Sequence, residues 1–289
     1  MSNPSFVELS ALPISLKEEG HAAISASAVS WNQKGNVLAG GSNELHLYDS
    51  NLEKLKVFPL KESEMVTAVA EQLCSYKEKD NQIYVVATLD ATRYSSFVSY
   101  TYKLCIYSSD LKPSAVCIDE GNEPSRSIQR QVAINPLTFQ ILVCSARQLQ
   151  VFSKEGDFEY SARLNDITEP KGLHILPDGS VLISYDGHVY KYIIRPSPID
   201  VELIWKSESI DSPAGISSDS AGLIYVGARG GIQVLSSQGR HVFVSSYVQA
   251  ARSATTLCRK PTIRLNISLN NDYAFLYLFI FECYVHDSF

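Results

Sequence analysis

Apolar and polar residues alternate along most of this chain in short runs, and glycine-rich or aspartate-rich turns separate the runs. The clearest stretch is Pro213 to Gly239. Apolar positions alternate through Gly222-Leu223-Ile224-Tyr225-Val226, and again through Ile232 and Val234 after the Gly230-Gly231 turn. Period-two runs joined by short glycine turns predict strand-turn-strand units. The same grammar recurs at Val132–Gly156 and Gly172–Tyr192, and more faintly at Ala28–Asp49. No segment sustains apolar residues at i, i+3, i+4 and i+7, so helices are not predicted.

One strand-rich unit is therefore repeated. Aligned on their first strands, the units begin at Val29, Val69, Val132, Gly172 and Gly215, at intervals of 40, 63, 40 and 43 residues. Intervals of ~40–50 residues suit a repeat of four short strands. In the fifth unit the strands are predicted near 214–218, 223–227, 232–236 and 242–247. In the fourth they are predicted near 172–176, 181–185, 189–194 and 201–206. The long interval predicts a loop insertion between Val69 and Cys105, which carries Lys77-Glu78-Lys79-Asp80 and the polar aromatic stretch Tyr94–Tyr102. Longer loops cost little closure entropy.

The repeats resemble NHL repeats. Pro213-Ala214-Gly215-Ile216, Ile224-Tyr225-Val226, Ile232-Gln233-Val234 and Ser237-Gln238-Gly239 carry the resemblance best. Gln150-Val151-Phe152-Ser153 with Glu155-Gly156 carries it again, as do Pro170-Lys171-Gly172-Leu173 and Pro177-Asp178-Gly179. The first unit, with Trp31 and Leu47-Tyr48-Asp49, leans towards the WD-repeat form of the same architecture. The resemblance implies an all-β fold: a β-propeller of four-stranded antiparallel blades, five recognisable and six by design, with an atypical last blade. It is similar to the propellers that TRIM-type NHL proteins join to ubiquitin-ligase modules. No RING cysteine–histidine ladder stands in this chain, so it could supply only the recognition half of such a system.

Three regions follow: an N-terminal segment (1–26), the repeats (27–247) and an apolar tail (248–289). Phe6–Leu16 alternates partly and is the candidate for a strand that closes the ring. The tail lacks the proline-glycine opening and the aspartate-glycine turn, and Tyr273–Val285 is almost wholly apolar. That run is short of the ~20 residues a membrane-spanning helix requires. Two readings of the tail stay open: a degenerate final blade, or sequence foreign to the propeller.

Composition changes this picture little. A net charge of −6 gives no global basic field for nucleic acid. The six cysteines form no C-x-x-C pair and read as buried reduced thiols. The start shows no signal-peptide pattern, and a cytoplasmic or nuclear home is the expectation. Motifs for a serine nucleophile elbow, a phosphate loop or a dinucleotide fold are missing from the sequence. Asp178-Gly179 and Asp186-Gly187 suit calcium oxygen ligands or, more simply, tight turns. His174 and His188 fall in predicted strands of one unit and could approach each other. No catalytic residue, metal ligand set or cofactor is assigned.

Propeller topology places the loops that lead into the first strand of a blade and those that join its second and third strands on one face. Arg93, Tyr94, Arg126, Arg130, Arg147, Lys171 and Arg229 fall there and form the candidate partner-binding set. Glu44, Glu62, Glu64, Asp166, Glu169, Asp186 and Asp211 fall in or near the same loops and offset the positive field. The leading expectation is a non-catalytic interaction scaffold with a protein partner. The alternatives are a propeller that binds single-stranded RNA and a calcium-dependent lactonase-like hydrolase. Neither DNA nor a membrane span is expected.

Overall fold

A computed structural model describes residues 15–23, 28–31, 36–40, 43–49, 53–62, 64–76, 79–93, 98–108, 111–120, 130–196, 199–219, 221–229, 231–245, 253–257, 262–268 and 275–282. In the strands at both ends of the chain, and in parts of the second blade, only the backbone course is described. Every strand pair is antiparallel, and no helix occurs among the described residues.

Five sheets are built from consecutive strands. Blade 1 holds β2 (Ala28–Trp31), β3 (Val37–Gly40), β4 (Glu44–Tyr48) and β5 (Lys54–Pro59). Blade 2 holds β6 (Glu64–Tyr76), β7 (Lys79–Arg93), β8 (Val98–Ser108) and β9 (Pro113–Glu120). Blade 3 holds β10 (Gln131–Ile134), β11 (Ile141–Ser145), β12 (Gln148–Phe152) and β13 (Phe158–Arg163). Blade 4 holds β14 (Gly172–Ile175), β15 (Val181–Tyr185), β16 (His188–Pro196) and β17 (Ile199–Lys206). Blade 5 holds β18 (Ile216–Ser218), β19 (Ile224–Ala228), β20 (Gly231–Leu235) and β21 (His241–Ser245). The first strands begin within a few residues of the positions expected from the repeat spacing.

The sixth sheet joins the two ends of the chain. Its order is β1 (Ser15–Ala23), β24 (Phe275–Glu282), β23 (Thr262–Ser268) and β22 (Ser253–Leu257). β1 pairs with β24 from Ser15↔Glu282 to Ala23↔Phe275 and so takes the outermost position. The N-terminal segment thus supplies the closing strand, which overlaps the candidate Phe6–Leu16 at Ser15 and Leu16; the rest of that candidate lies outside the described residues. The innermost strands touch in the order β2, β6, β10, β14, β18, β22 and back to β2, so the ring is closed. The architecture is a β-propeller.

Burial explains why the inner strands read as continuous apolar runs rather than clean alternations. Val37–Gly40, Ile141–Cys144 and Ile224–Ala228 are buried throughout, because neighbouring blades cover both faces. Leu38, Val66 and Tyr107 pack between blades 1 and 2, and Ala70, Leu104 and Val143 between blades 2 and 3. Leu149, Ile183 and Tyr192 fill the junction of blades 3 and 4, and Leu182, Val226 and Leu235 that of blades 4 and 5. The outermost strands face water, as the exposed Leu55, Phe158 and Ile199 show.

The long repeat interval is resolved differently from the expectation. The extra residues of blade 2 lengthen its strands to 13, 15 and 11 residues instead of swelling a loop. Both added stretches can continue the antiparallel ladder, and they do: β6 and β7 pair to Tyr76↔Lys79, and β7 and β8 to Arg93↔Val98. The two resulting ribbons leave the blade in opposite directions.

Candidate functional site

The loops that lead into β6, β10, β14 and β18 share one face with the β3–β4, β7–β8, β11–β12, β15–β16 and β19–β20 turns. We call this the upper face. Its backbone is pinned from blade to blade. The Arg147 N–H donates to the Ile167 carbonyl at 2.6 Å, and the Leu164 N–H donates to the Arg147 carbonyl at 2.8 Å. In blade 4 the Ile210 N–H donates to the Gly187 carbonyl at 2.7 Å, and in blade 5 the Arg229 N–H donates to the Asp211 carbonyl at 2.8 Å. The Lys171 N–H donates to the Ser184 carbonyl at 2.9 Å. Arg147, Lys171 and Arg229 therefore ride on fixed loops of three successive blades. Arg147 itself sits in the left-handed region at φ 57°.

Three upper-face cations, Lys103, Lys171 and Arg229, stand beside a carboxylate. Lys171 Nζ lies 3.3 Å from Glu169 Oε2, and Arg229 Nε lies 4.0 Å from Asp211 Oδ2. Both pairs are exposed, and each holds its side chains only weakly. Lys103 Nζ and Glu64 Oε1 are 2.8 Å apart, with the carboxylate side chain only 11% exposed, so this pair is screened far less. Arg147 is exposed and has no ion-pair partner among the described residues.

Blade 2 concentrates polar groups on the same face. Glu64 opens β6, and Lys103 lies opposite Thr88 in the β7–β8 register. The Thr88 hydroxyl beside them is buried and finds no hydrogen-bond partner among the described residues. On the opposite side of the blade, towards blade 3, the Arg130 guanidinium stands 4.1 Å from the centroid of the Tyr102 ring. A cation over an aromatic face is attracted by the ring quadrupole.

The predicted residues divide accordingly. Arg147, Lys171 and Arg229 lie on the upper face and reach solvent. Arg130 is on this face but 9% exposed and stacked on Tyr102, so it is a wall of the site rather than a free fork. Arg93 ends β7, where only the backbone is described. Tyr94 and Arg126 lie outside the described residues. Lys103 is absent from the sequence-predicted set, and its pairing with Glu64 is not legible there, because only the β7–β8 register, with β6 beside it, brings them together.

The two histidines of blade 4 take separate partners. His174 Nε2 lies 2.8 Å from Ser218 Oγ of the neighbouring blade, and His188 Nδ1 donates to the Ser207 carbonyl at 3.1 Å. Burial pushes the His174 imidazole down to about 4, so it is neutral near pH 7.

The aspartates read as possible calcium ligands are engaged in turns. Asp186 and Gly187 have φ values of 42° and 75°, the two positive values of a tight hairpin turn. Asp178 accepts hydrogen bonds from the Ser180 N–H at 2.9 Å and from the Ser180 hydroxyl. Burial alone would raise the Asp178 pKa, but these bonds and Lys191 hold it below the ordinary value. Asp219 accepts from the Leu223 N–H at 2.8 Å and the Tyr225 hydroxyl at 2.9 Å. Calcium needs several converging oxygens. Among the described residues no three His, Cys, Asp or Glu side chains are grouped, so these residues do not fit such an ion.

Comparison with known proteins agrees with this architecture. The chain matches no protein-family model, and no curated protein matches it. It is similar in structure to a protein provisionally named a gluconolactonase, with a TM-score of 0.60 at 13% identity over 99% of each chain. It is similar to streptogramin B lyase, with a TM-score of 0.56 at 10% identity over 92% of this chain and 98% of that one. It is also similar to the β-propeller domain of Cps50 (Swd1) from Myceliophteria thermophila, with a TM-score of 0.55 at 10% identity over 92% and 99%. At these identities the likeness concerns the fold alone. Neighbours named as enzymes and a neighbour named as a propeller domain share it equally.

Proposed function

We propose that this propeller is a non-catalytic interaction scaffold that binds a protein partner through its upper face, as the resemblance of its repeats to NHL repeats also implies. The observation that carries this reading is the pairing of charge. Lys103, Lys171 and Arg229 each stand beside a carboxylate, which suits the mixed polar rim of a protein interface. A strand of RNA asks for an unbalanced positive groove instead.

The test is a pair of charge reversals, Arg147→Glu and Arg229→Glu, read against the purified partner and against single-stranded RNA over a salt series. The protein reading expects a reduced on-rate for the partner and no RNA binding at any salt. RNA binding whose affinity falls with a log–log slope of ~−0.7 per contact would replace it with the RNA reading.

A second reading is an enzyme that works in the channel, favoured by the neighbours named gluconolactonase and streptogramin B lyase. The His174–Ser218 pair, on the innermost strands of adjacent blades, is the polar pair it would draw on. Turnover of a lactone panel that is lost in Ser218→Ala would favour it over the scaffold.

A further inference from the structure

We propose that Arg147 is the specificity-determining anchor of the upper face, and that it takes a single carboxylate, an aspartate or glutamate side chain presented by the protein partner. The proposal rests on the protein-binding reading of that face.

The other repeats show what this position ordinarily holds. In blades 3, 4 and 5 a two-residue turn joins the second and third strands, between the pairs Ser145↔Gln148, Tyr185↔His188 and Ala228↔Gly231. The second turn residue is Gly187 in blade 4 and, by sequence, Gly230 in blade 5, but it is Arg147 in blade 3. Gly187 has φ 75° and Arg147 has φ 57°, so blade 3 places an arginine where the backbone is left-handed. Glycine adopts that conformation freely, whereas a Cβ crowds the following carbonyl. Turns that require it are ordinarily filled by glycine or asparagine.

The fold does not call for the arginine side chain. The Leu164 N–H donates to the Arg147 carbonyl at 2.8 Å, and the Ile210 N–H donates to the Gly187 carbonyl at 2.7 Å. The two blades thus make the same bond, and glycine serves it equally well. Arg147 is exposed, and its guanidinium makes no hydrogen bond, ion pair or ring contact among the described residues. A strained residue whose side chain the packing does not use points to a function for that side chain.

The surroundings select the ligand. The Arg147 N–H is bonded to the Ile167 carbonyl at 2.6 Å, so the guanidinium projects from a fixed backbone. Lys171 and Arg229, on the next two blades, already face Glu169 and Asp211. Asp166 and Asp186 are exposed in the same loops. This field opposes a row of phosphates. One carboxylate, by contrast, can dock on one guanidinium through two parallel hydrogen bonds. Arginine is also enriched among the few residues that dominate protein interfaces.

The experiment selects random peptides on the whole chain by display. The affinity of the best one is then measured for the wild type, Arg147→Gly, Arg147→Lys and the lower-face variant Lys154→Ala. The expected peptide carries an Asp or Glu whose replacement by Asn or Gln weakens binding on the order of tenfold. Arg147→Gly should weaken it comparably, and so should Arg147→Lys, because lysine keeps the charge and loses the fork. Lys154→Ala should leave it unchanged. The loss stays partial because the rest of the face keeps its contacts, so a crosslinker at this position still captures the complex. Thermal melting separates this role from a structural one. Arg147→Gly should melt about 2–4 °C above Arg147→Ala and no lower than wild type, because it alone relieves the strain. No selected peptide, a peptide without an acidic residue, or wild-type affinity in Arg147→Gly or Arg147→Lys would overturn the proposal. So would an Arg147→Gly chain that melts below wild type, or single-stranded RNA bound through Arg147 instead of a peptide. If Arg147→Gly keeps the peptide while Arg229→Glu weakens it, the anchor falls and the upper-face reading stands.

Discussion

Single residues hold the blades in register, and two of them give direct tests. A Cβ at Gly172 would lie 2.4 Å from the Ala214 carbonyl oxygen and 3.1 Å from Gly215 Cα. The crowding comes from the backbone of the next blade. Gly172→Val should therefore destabilise by about 1–3 kcal/mol, as overpacking against a fixed backbone does. Denaturant unfolding checks it, and an unchanged midpoint would contradict it. His174 is the second. Burial lowers its pKa from the ordinary 6.5 to about 4, so the folded chain accommodates the neutral imidazole and resists the protonated one. Its contribution is fully present above pH 6.5 and is lost as the pH falls through this window towards 4. At ~1.4 kcal/mol per pKa unit this is on the order of 3 kcal/mol. Melting at pH 7.5 and 4.5 should show a smaller acid loss in His174→Gln than in wild type. Equal losses would mean that His174 is not the titrating group. The sequence marked the glycine by its repeat position, but the Ser218 partner of His174 belongs to another blade and was invisible.

At the scale of elements, alternation and turn residues made most strands legible, and the departures have physical reasons. The strands of blades 4 and 5 fell close to their expected bounds because glycine and aspartate turns punctuate them. In blade 2 charged and aromatic residues, which suggest a loop, instead lie in long strands that continue the antiparallel ladder. The N-terminal closing strand is observed over Ser15–Ala23, within the expected 1–26 segment, and residues 6–14 of the candidate lie outside the described residues. The observed position makes β1 the outer cover of β24. Deleting residues 1–23 should thus leave the apolar β24 with an open edge. The expected outcome is a melting temperature lower by several degrees, roughly what 1–2 kcal/mol gives in a chain of this size, together with aggregation on concentration. A truncated chain that melts as wild type and stays monomeric would show that β1 contributes nothing to closure.

The whole molecule is a closed ring whose loops are pinned, so side chains from different repeats are held at fixed positions on one face. The repeat spacing made that face legible, along with Arg147, Lys171 and Arg229. It could not show that Arg130 stacks on Tyr102, or that Lys103 reaches Glu64, because those contacts depend on register across blades. The central claim is that this upper face binds a protein. It is tested most directly by placing the photocrosslinker p-benzoylphenylalanine at position 147 on the upper face or at position 154 on the lower face of the same blade. Both Arg147 and Lys154 are exposed, and both lie in β-turn connections of blade 3. Irradiation in cells should give a discrete protein adduct from position 147 and none from position 154. An adduct from 154 alone, or from 147 to RNA rather than protein, would contradict the account.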